Sequence, residues 1–118
     1  MMRVTTDFFV SALVRRVFSK GGFAAVPRKG AAEAGAVFVV VDRLNGTYDL
    51  YGPAPQAFFD GPSGDRLFEI LMETQERSDV FGRLEREQRM DPDLWIVEIE
   101  AASGDAGLSV ISPDTPDA

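Results

Sequence analysis

The chain contains neither cysteine nor histidine. Without thiols there are no disulfides and no thiolate nucleophile, and without imidazole the most versatile general base and the usual zinc ligand are missing. Catalysis would have to rest on carboxylates, Lys, Arg, Tyr and hydroxyls. No motif assembles them, so neither an enzyme activity nor a cofactor or metal site is expected. Long hydrophobic runs are missing as well. The longest is Ala36–Val41, against the ~20 residues that a spanning helix needs. Asp7, Arg15 and Arg16 interrupt any signal-peptide core near the N-terminus. A cytoplasmic location with no membrane partner is expected.

Positive charge is also scarce: 12 Lys and Arg stand against 19 Asp and Glu, a net charge of −7. That balance makes nucleic acid an unlikely partner, because such binding relies on a surplus of cations. The cations are unevenly placed. Arg3, Arg15, Arg16, Lys20, Arg28 and Lys29 all precede residue 31, opposed there by Asp7 alone.

At 118 residues the chain is long enough for one domain and not for two. Thr5 or Thr6 can cap a helix over residues 6–20. Phe9, Val10, Leu13, Val14, Val17 and Phe18 supply its apolar stripe and Gly21-Gly22 its stop. Phe23–Lys29 reads as a strand whose Pro27 confines it to an edge or a bulge. The β-branched run Ala36–Val41 and the pair Asn45-Gly46 predict a hairpin with a two-residue type I′ turn. That turn would pair Arg43 with Tyr48 and Val41 with Leu50, set Asp42 against Asp49, and leave the tip solvated. Gly52–Gln56 is a proline-fixed extended segment, followed by a loop through Asp65. Arg66–Met72 reads as a further strand with Phe68, Ile70 and Met72 on one side, with a helix as the alternative for so short an apolar run. Ser78 can cap a second helix to about Met90, with Arg83–Glu87 and Glu85–Arg89 as i, i+4 pairs. Pro92 ends it. Leu94–Glu100 is a strand with Trp95, Val97 and Ile99 on one side. The fold class is α+β: a mostly antiparallel sheet of four to five strands with two helices, in the order α-β-β-β-(β)-α-β. Residues 1–100 form the domain, and 101–118, small, acidic and poor in apolar side chains, are expected to be a disordered tail.

Four stretches, Arg16–Val26, Ala34–Thr47, Tyr51–Gln56 and Asp91–Glu100, carry a resemblance. The most specific strings are Tyr51-Gly-Pro-Ala-Pro-Gln56 and Asp91-Pro-Asp-Leu-Trp95. Together they resemble a bacterial domain-of-unknown-function family, the one numbered fourteen ninety-one, over roughly residues 3–100. The resemblance implies a small stand-alone domain and brings no activity with it. Pro27 departs from the Arg or Val expected at its position, so the first strand should be irregular.

Candidate contacts follow from what the pattern leaves unsatisfied. Ala36–Val41 and Leu94–Ile99 are apolar on both sides, which calls for cover on both faces of the sheet. The preferred arrangement puts both helices over Val37, Val39 and Val41 and leaves Phe38, Val40 and Tyr51 open. The alternative puts one helix on each face. An open face predicts a homodimer, with Pro53, Pro55 and Gln56 as a stiff neighbouring contact. The leading functional expectation is therefore a protein-interaction or self-associating module. The second is a small-anion or nucleic-acid binder using Arg15, Arg16, Lys20, Arg28 and Lys29. A carboxylate-based, metal-assisted enzyme is the least favoured: Asp91 and Asp93 read as a helix stop, and Glu98 and Glu100 as solvated strand residues.

Overall fold

The computed structural model describes residues 4–55 and 66–111. Helix α1 spans Thr6–Ser19, with Lys20 as its C-cap and Gly21 left-handed at φ +83°. Thr5 takes the N-cap position, but its hydroxyl donates to Asp7, and the buried Thr6 hydroxyl donates to the Gly35 carbonyl at 2.9 Å. Val10 and Leu13 point inward. Phe18, expected in the stripe, is 49% exposed.

Six strands follow: β1 (Phe23–Arg28), β2 (Val37–Asp42), β3 (Tyr48–Pro53), β4 (Leu67–Gln75), β5 (Trp95–Glu100) and β6 (Ser109–Val110). Helix α2 (Arg77–Met90) lies between β4 and β5. Residues 66–72 are thus strand, and α2 begins before Ser78, on Glu76 as N-cap with no side-chain capping bond. Of the two expected helix pairs, Arg83 and Glu87 meet at 2.8 Å.

The sheet order is β1-β5-β2-β3-β4-β6, and it is mixed rather than mostly antiparallel: β2 runs parallel to β5, and β4 parallel to β6. This topology decides where the helices go. α2 is the crossover from β4 to the parallel strand β5, on the far side of β3 and β2, so it must lie on one face. There Val80 and Leu84 pack on Phe38, Val40, Leu50, Leu94 and Ile96. α1 takes the other face, with Val10 and Leu13 on Val37, Val39, Val41, Trp95, Val97 and Ile99. The arrangement with both helices on one face is therefore corrected. Phe38 and Val40, expected to be open, are buried beneath α2. The β2–β5 pair at the centre is the reason: being apolar on both sides, it needs a helix on each.

The hairpin register differs from expectation by one residue. Val40 pairs with Leu50, Val41 with Asp49 and Asp42 with Tyr48. The loop contains three residues, Leu44-Asn45-Gly46, closed by Arg43 N–H donating to the Thr47 carbonyl, with Leu44 at φ +63° and Gly46 at φ +91°. Side chains stabilise the extra residue: Asp42 accepts from Leu44 N–H, and Asn45 accepts from the Thr47 N–H and hydroxyl. These Asx bonds replace the two-residue turn. A one-residue slip moves every β3 side chain to the opposite face. Leu50 therefore faces α2, while Tyr51 and Asp49 face α1, and Asp49 is fully buried rather than at a solvated tip.

Both sheet edges are blunted. β1 carries Pro27 and a register break between Ala25 and Arg28, as its proline implied. At the other edge β6 is two residues long. It belongs to a segment that the sequence placed in a disordered tail. Residues 101–111 cross the α1 side of the sheet, Ala106 and Leu108 pack on the core, and Ile111 N–H donates to the Phe68 carbonyl. The folded region thus extends past residue 100. Glycines and half-buried apolar side chains suffice here because the strap borrows its backbone partners from β4. Residues 112–118 lie outside the described residues, as do Gln56 and the Asp60–Asp65 loop.

Candidate binding groove beside the first helix

Adjacent aromatics at Phe8 and Phe9 cannot both face the core from one helix, since neighbours lie about 100° apart around the axis. Phe9 turns inward and stacks on Phe68 with ring centroids 6.0 Å apart. Phe8 is left 61% exposed. One turn further, Ala12 leaves room, and the strap carrying Leu108 and Ser109 forms the opposite wall. Between them runs a groove of about 380 Å³.

Two guanidinium groups flank it. Arg16 donates to the Gly107 carbonyl at 3.3 Å, and Arg66 donates to the Val4 carbonyl at 3.2 Å while its Cζ sits 5.3 Å from the Phe9 ring centroid. None of the described lining residues is acidic, and Arg16 enters no ion pair among the described residues. An aromatic floor with cations at its rim is suited to binding. Sequence reasoning flagged Arg16 and missed the rest. The Phe8-Phe9 doublet was the legible clue, whereas Arg66 and Leu108 reach the groove only through the strap and the β4 edge.

The five candidate cations do not form one patch. Arg15, Arg16 and Lys20 lie on the C-terminal half of α1. β1 then runs away from that end, carrying Arg28 and Lys29 toward the loop where Thr6 and Asp7 bond residues 32 and 33. The Arg28 guanidinium is spent on the Pro92 carbonyl, and its Nε is buried without a partner. Lys29 is exposed.

Among the interface candidates, Phe38 and Val40 are core. Pro53 and Pro55 are exposed, and Ala54 between them bonds the Leu67 carbonyl. Tyr51 is half-buried on the α1 side, where burial and the nearby Asp49 raise its pKa above the ordinary 10.0. The Asp49 carboxylate accepts from Arg43 Nε at 2.9 Å and from Thr74 N–H at 2.8 Å. Thr74 is left-handed at φ +50°, in the register break between β3 and β4. The group is a fastener for that break.

On the α2 side, Glu98 stands beside Asp42 and Glu100. Burial, reinforced by Asp42, pushes its pKa up, with Arg77 acting in opposition. Asp91 accepts from Asp93 N–H in a local turn. Among the described residues no group of carboxylates is placed to hold a metal. No helix among them is long and apolar enough to cross a membrane.

A family model described as a protein of unknown function, DUF1491, matches residues 4–109. Among curated proteins none matches the chain. Solved structures do. A solution structure from A. tumefaciens is 47% identical with a TM-score of 0.81, covering 99% of this chain and 100% of that one. A crystal structure of a DUF1491 protein from Caulobacter crescentus is 38% identical with a TM-score of 0.76, covering 94% and 100%. An NMR structure of a DUF1491 protein from the same organism is 39% identical with a TM-score of 0.74, covering 95% and 100%. The match through residue 109 includes most of the strap.

Proposed function

The chain belongs to the DUF1491 family of unknown function, and from that premise we propose that it is a protein-interaction module whose contact side is the outer surface of α1. One asymmetry carries this reading. The large apolar side chains left exposed include Val4, Phe8, Phe18, Phe23 and Val110, all on α1 or on segments flanking it. Among the described residues the others are Leu44, at the hairpin tip, and Met90, at the end of α2. Phe18 and Phe23 pair edge-to-face at 5.8 Å, so they present a preformed aromatic corner. Clustered apolar exposure of this kind marks contact surfaces. Self-association belongs to the same reading, now placed on the α1 side because the sheet face beneath α2 is filled.

The test is a photo-crosslinking residue at Ser11, exposed between Phe8 and Arg15, compared with one at Glu85 on the outer side of α2. In cells the Ser11 probe should yield discrete adducts, to a second copy or to another protein, that the Glu85 probe does not. Equal or absent adducts from the two positions would sink the reading.

A further inference from the structure

The groove beside α1 invites a ligand of its own. We propose that it binds an amphipathic organic anion, a carboxylate or phosphate on a short alkyl or aryl body. The anionic group would sit at Arg16, and the apolar body along Phe8, Ala12 and Leu108. This site shares a surface with the protein contact proposed above but does not depend on a protein partner.

Three observations converge. The volume, about 380 Å³, falls within the range of small-molecule sites. The walls divide by chemistry, with aromatic and aliphatic side chains along the floor and guanidinium groups at the rim. Charge complementarity then selects the sign of the ligand. In a chain of net charge −7, this concavity is flanked by two arginines and lined by no described carboxylate. A cleft of one sign between low-dielectric walls focuses the field on its counter-ion. Arg16 has capacity to spare, since a guanidinium carries five N–H donors and one of them goes to the Gly107 carbonyl at the long distance of 3.3 Å. A bidentate anion would use the fork that this single bond leaves unfilled.

The apolar body is as necessary as the charge. An exposed arginine holds free phosphate weakly in water, because screening removes most of the attraction. Phe8 and Leu108 supply an apolar wall, and a ligand body lying on it displaces water beside Arg16, which strengthens the pairing.

Isotope-labelled full-length protein titrated with octyl phosphate, octanoate, octanol and inorganic phosphate tests this by NMR. Octyl phosphate or octanoate should move the amide signals of Ala12, Gly107, Leu108 and Ser109 and leave those of Val80 and Leu84 in place. Octanol and inorganic phosphate should each bind roughly tenfold more weakly or worse, the loss expected when a charged hydrogen bond or its apolar support is removed. Arg16→Gln should weaken octyl phosphate to a similar degree. Ala12→Leu should block it by filling the groove while Arg16 stays in place. Sedimentation with phosphatidylglycerol vesicles separates the sources: co-sedimentation assigns the anion to a lipid surface, and binding of octyl phosphate without it assigns a free ligand. Octanol binding as well as octyl phosphate overturns the proposal. So does an affinity untouched by Arg16→Gln, which would leave Arg16 as a staple on Gly107 only.

Discussion

Arg43 and Asp49 form an ion pair at 2.9 Å in which the carboxylate is wholly buried while the guanidinium keeps 22% of its side-chain surface exposed. The pair ties the hairpin end of β2 to the register break in β4, since the other Asp49 oxygen holds Thr74 in its left-handed conformation. Removing one member of a buried pair strands the other's polar partners. Asp49→Ala should cost ~3 kcal/mol in urea unfolding, with Arg43→Ala costing less because Arg43 reaches water. Equal and small losses would show that the pair is dispensable.

Glycines separate two mechanisms. At Gly30 a Cβ would collide with the Asp93 carbonyl oxygen and stand 2.5 Å from that of Leu94, both backbone atoms. Gly30→Ala should destabilise by ~3 kcal/mol through forced displacement of that loop. At Gly82, inside α2, the nearest atom is the flexible end of Arg86 at 3.9 Å. Gly82→Ala should therefore stabilise by ~0.5–1 kcal/mol through helix propensity. Thermal unfolding of both variants checks the contrast.

Glu98 gives a pH dependence with a definite sign. Its pKa in the folded chain is raised above the ordinary 4.5, first by burial and then by Asp42. The folded state therefore favours the protonated form. The stability this contributes is fully present below the unfolded value and is lost as pH rises through the folded one. Glu98→Gln should unfold at a higher temperature than the native chain at pH 7 and at nearly the same temperature at pH 4. A gain that persists unchanged at pH 4 would point to packing instead of titration.

The strap can be removed. A chain ended after Glu100 loses the Ile111–Phe68 bond, β6, and the Ala106 and Leu108 contacts with the core. Its unfolding midpoint should fall by ~10 °C, equivalent to ~2 kcal/mol in a domain of this size. An unchanged midpoint would return these residues to the status of a tail.

Val40→Lys and Val80→Lys should both unfold the protein, because the two side chains are opposite sides of one contact beneath α2 and an unpaired ammonium is not tolerated there. Circular dichroism decides. A folded Val40→Lys protein would mean that α2 can leave the sheet.

Much of this architecture was legible from local pattern. α1 announced itself by its stripe and by Gly21-Gly22. Pro27 marked an irregular edge strand, and Trp95, Val97 and Ile99 do share the α1 face. What escaped was decided by side chains acting on the backbone at short range, or by topology. Asn45-Gly46 specified a turn, but Asp42 and Asn45 added a residue to it and so reversed the facing of Leu50 and Asp49. Met72 was grouped with Phe68 and Ile70, yet the register break between Leu50 and Tyr51 carries it to the α2 side with Leu71. The strap looked disordered because its apolar content is low. It is held by backbone bonds to Asp42 at its start and to β4 at its end, which only the assembled sheet supplies. The groove depended on that same strap, so of its lining only Arg16 was flagged, although the Phe8-Phe9 doublet was legible too.

The central parallel pair has a consequence for synthesis. Among the described residues β1 pairs with β5 alone, and β2 needs β5 along one whole side. A nascent chain that has emerged only as far as α2 holds a hairpin extended by β4, together with a first strand whose partner β5 is still missing and a first helix that finds only part of its core. Val37, Val39 and Val41 would then face water along one flank, and the long loop between β2 and β5 would still have to close. Folding should thus wait for β5 and be comparatively slow, and the incomplete chain should be a substrate for chaperones that hold exposed strands. Ribosome-bound chains halted just before and just after Trp95-Ile-Val-Glu-Ile-Glu100 emerges should differ sharply in protease resistance.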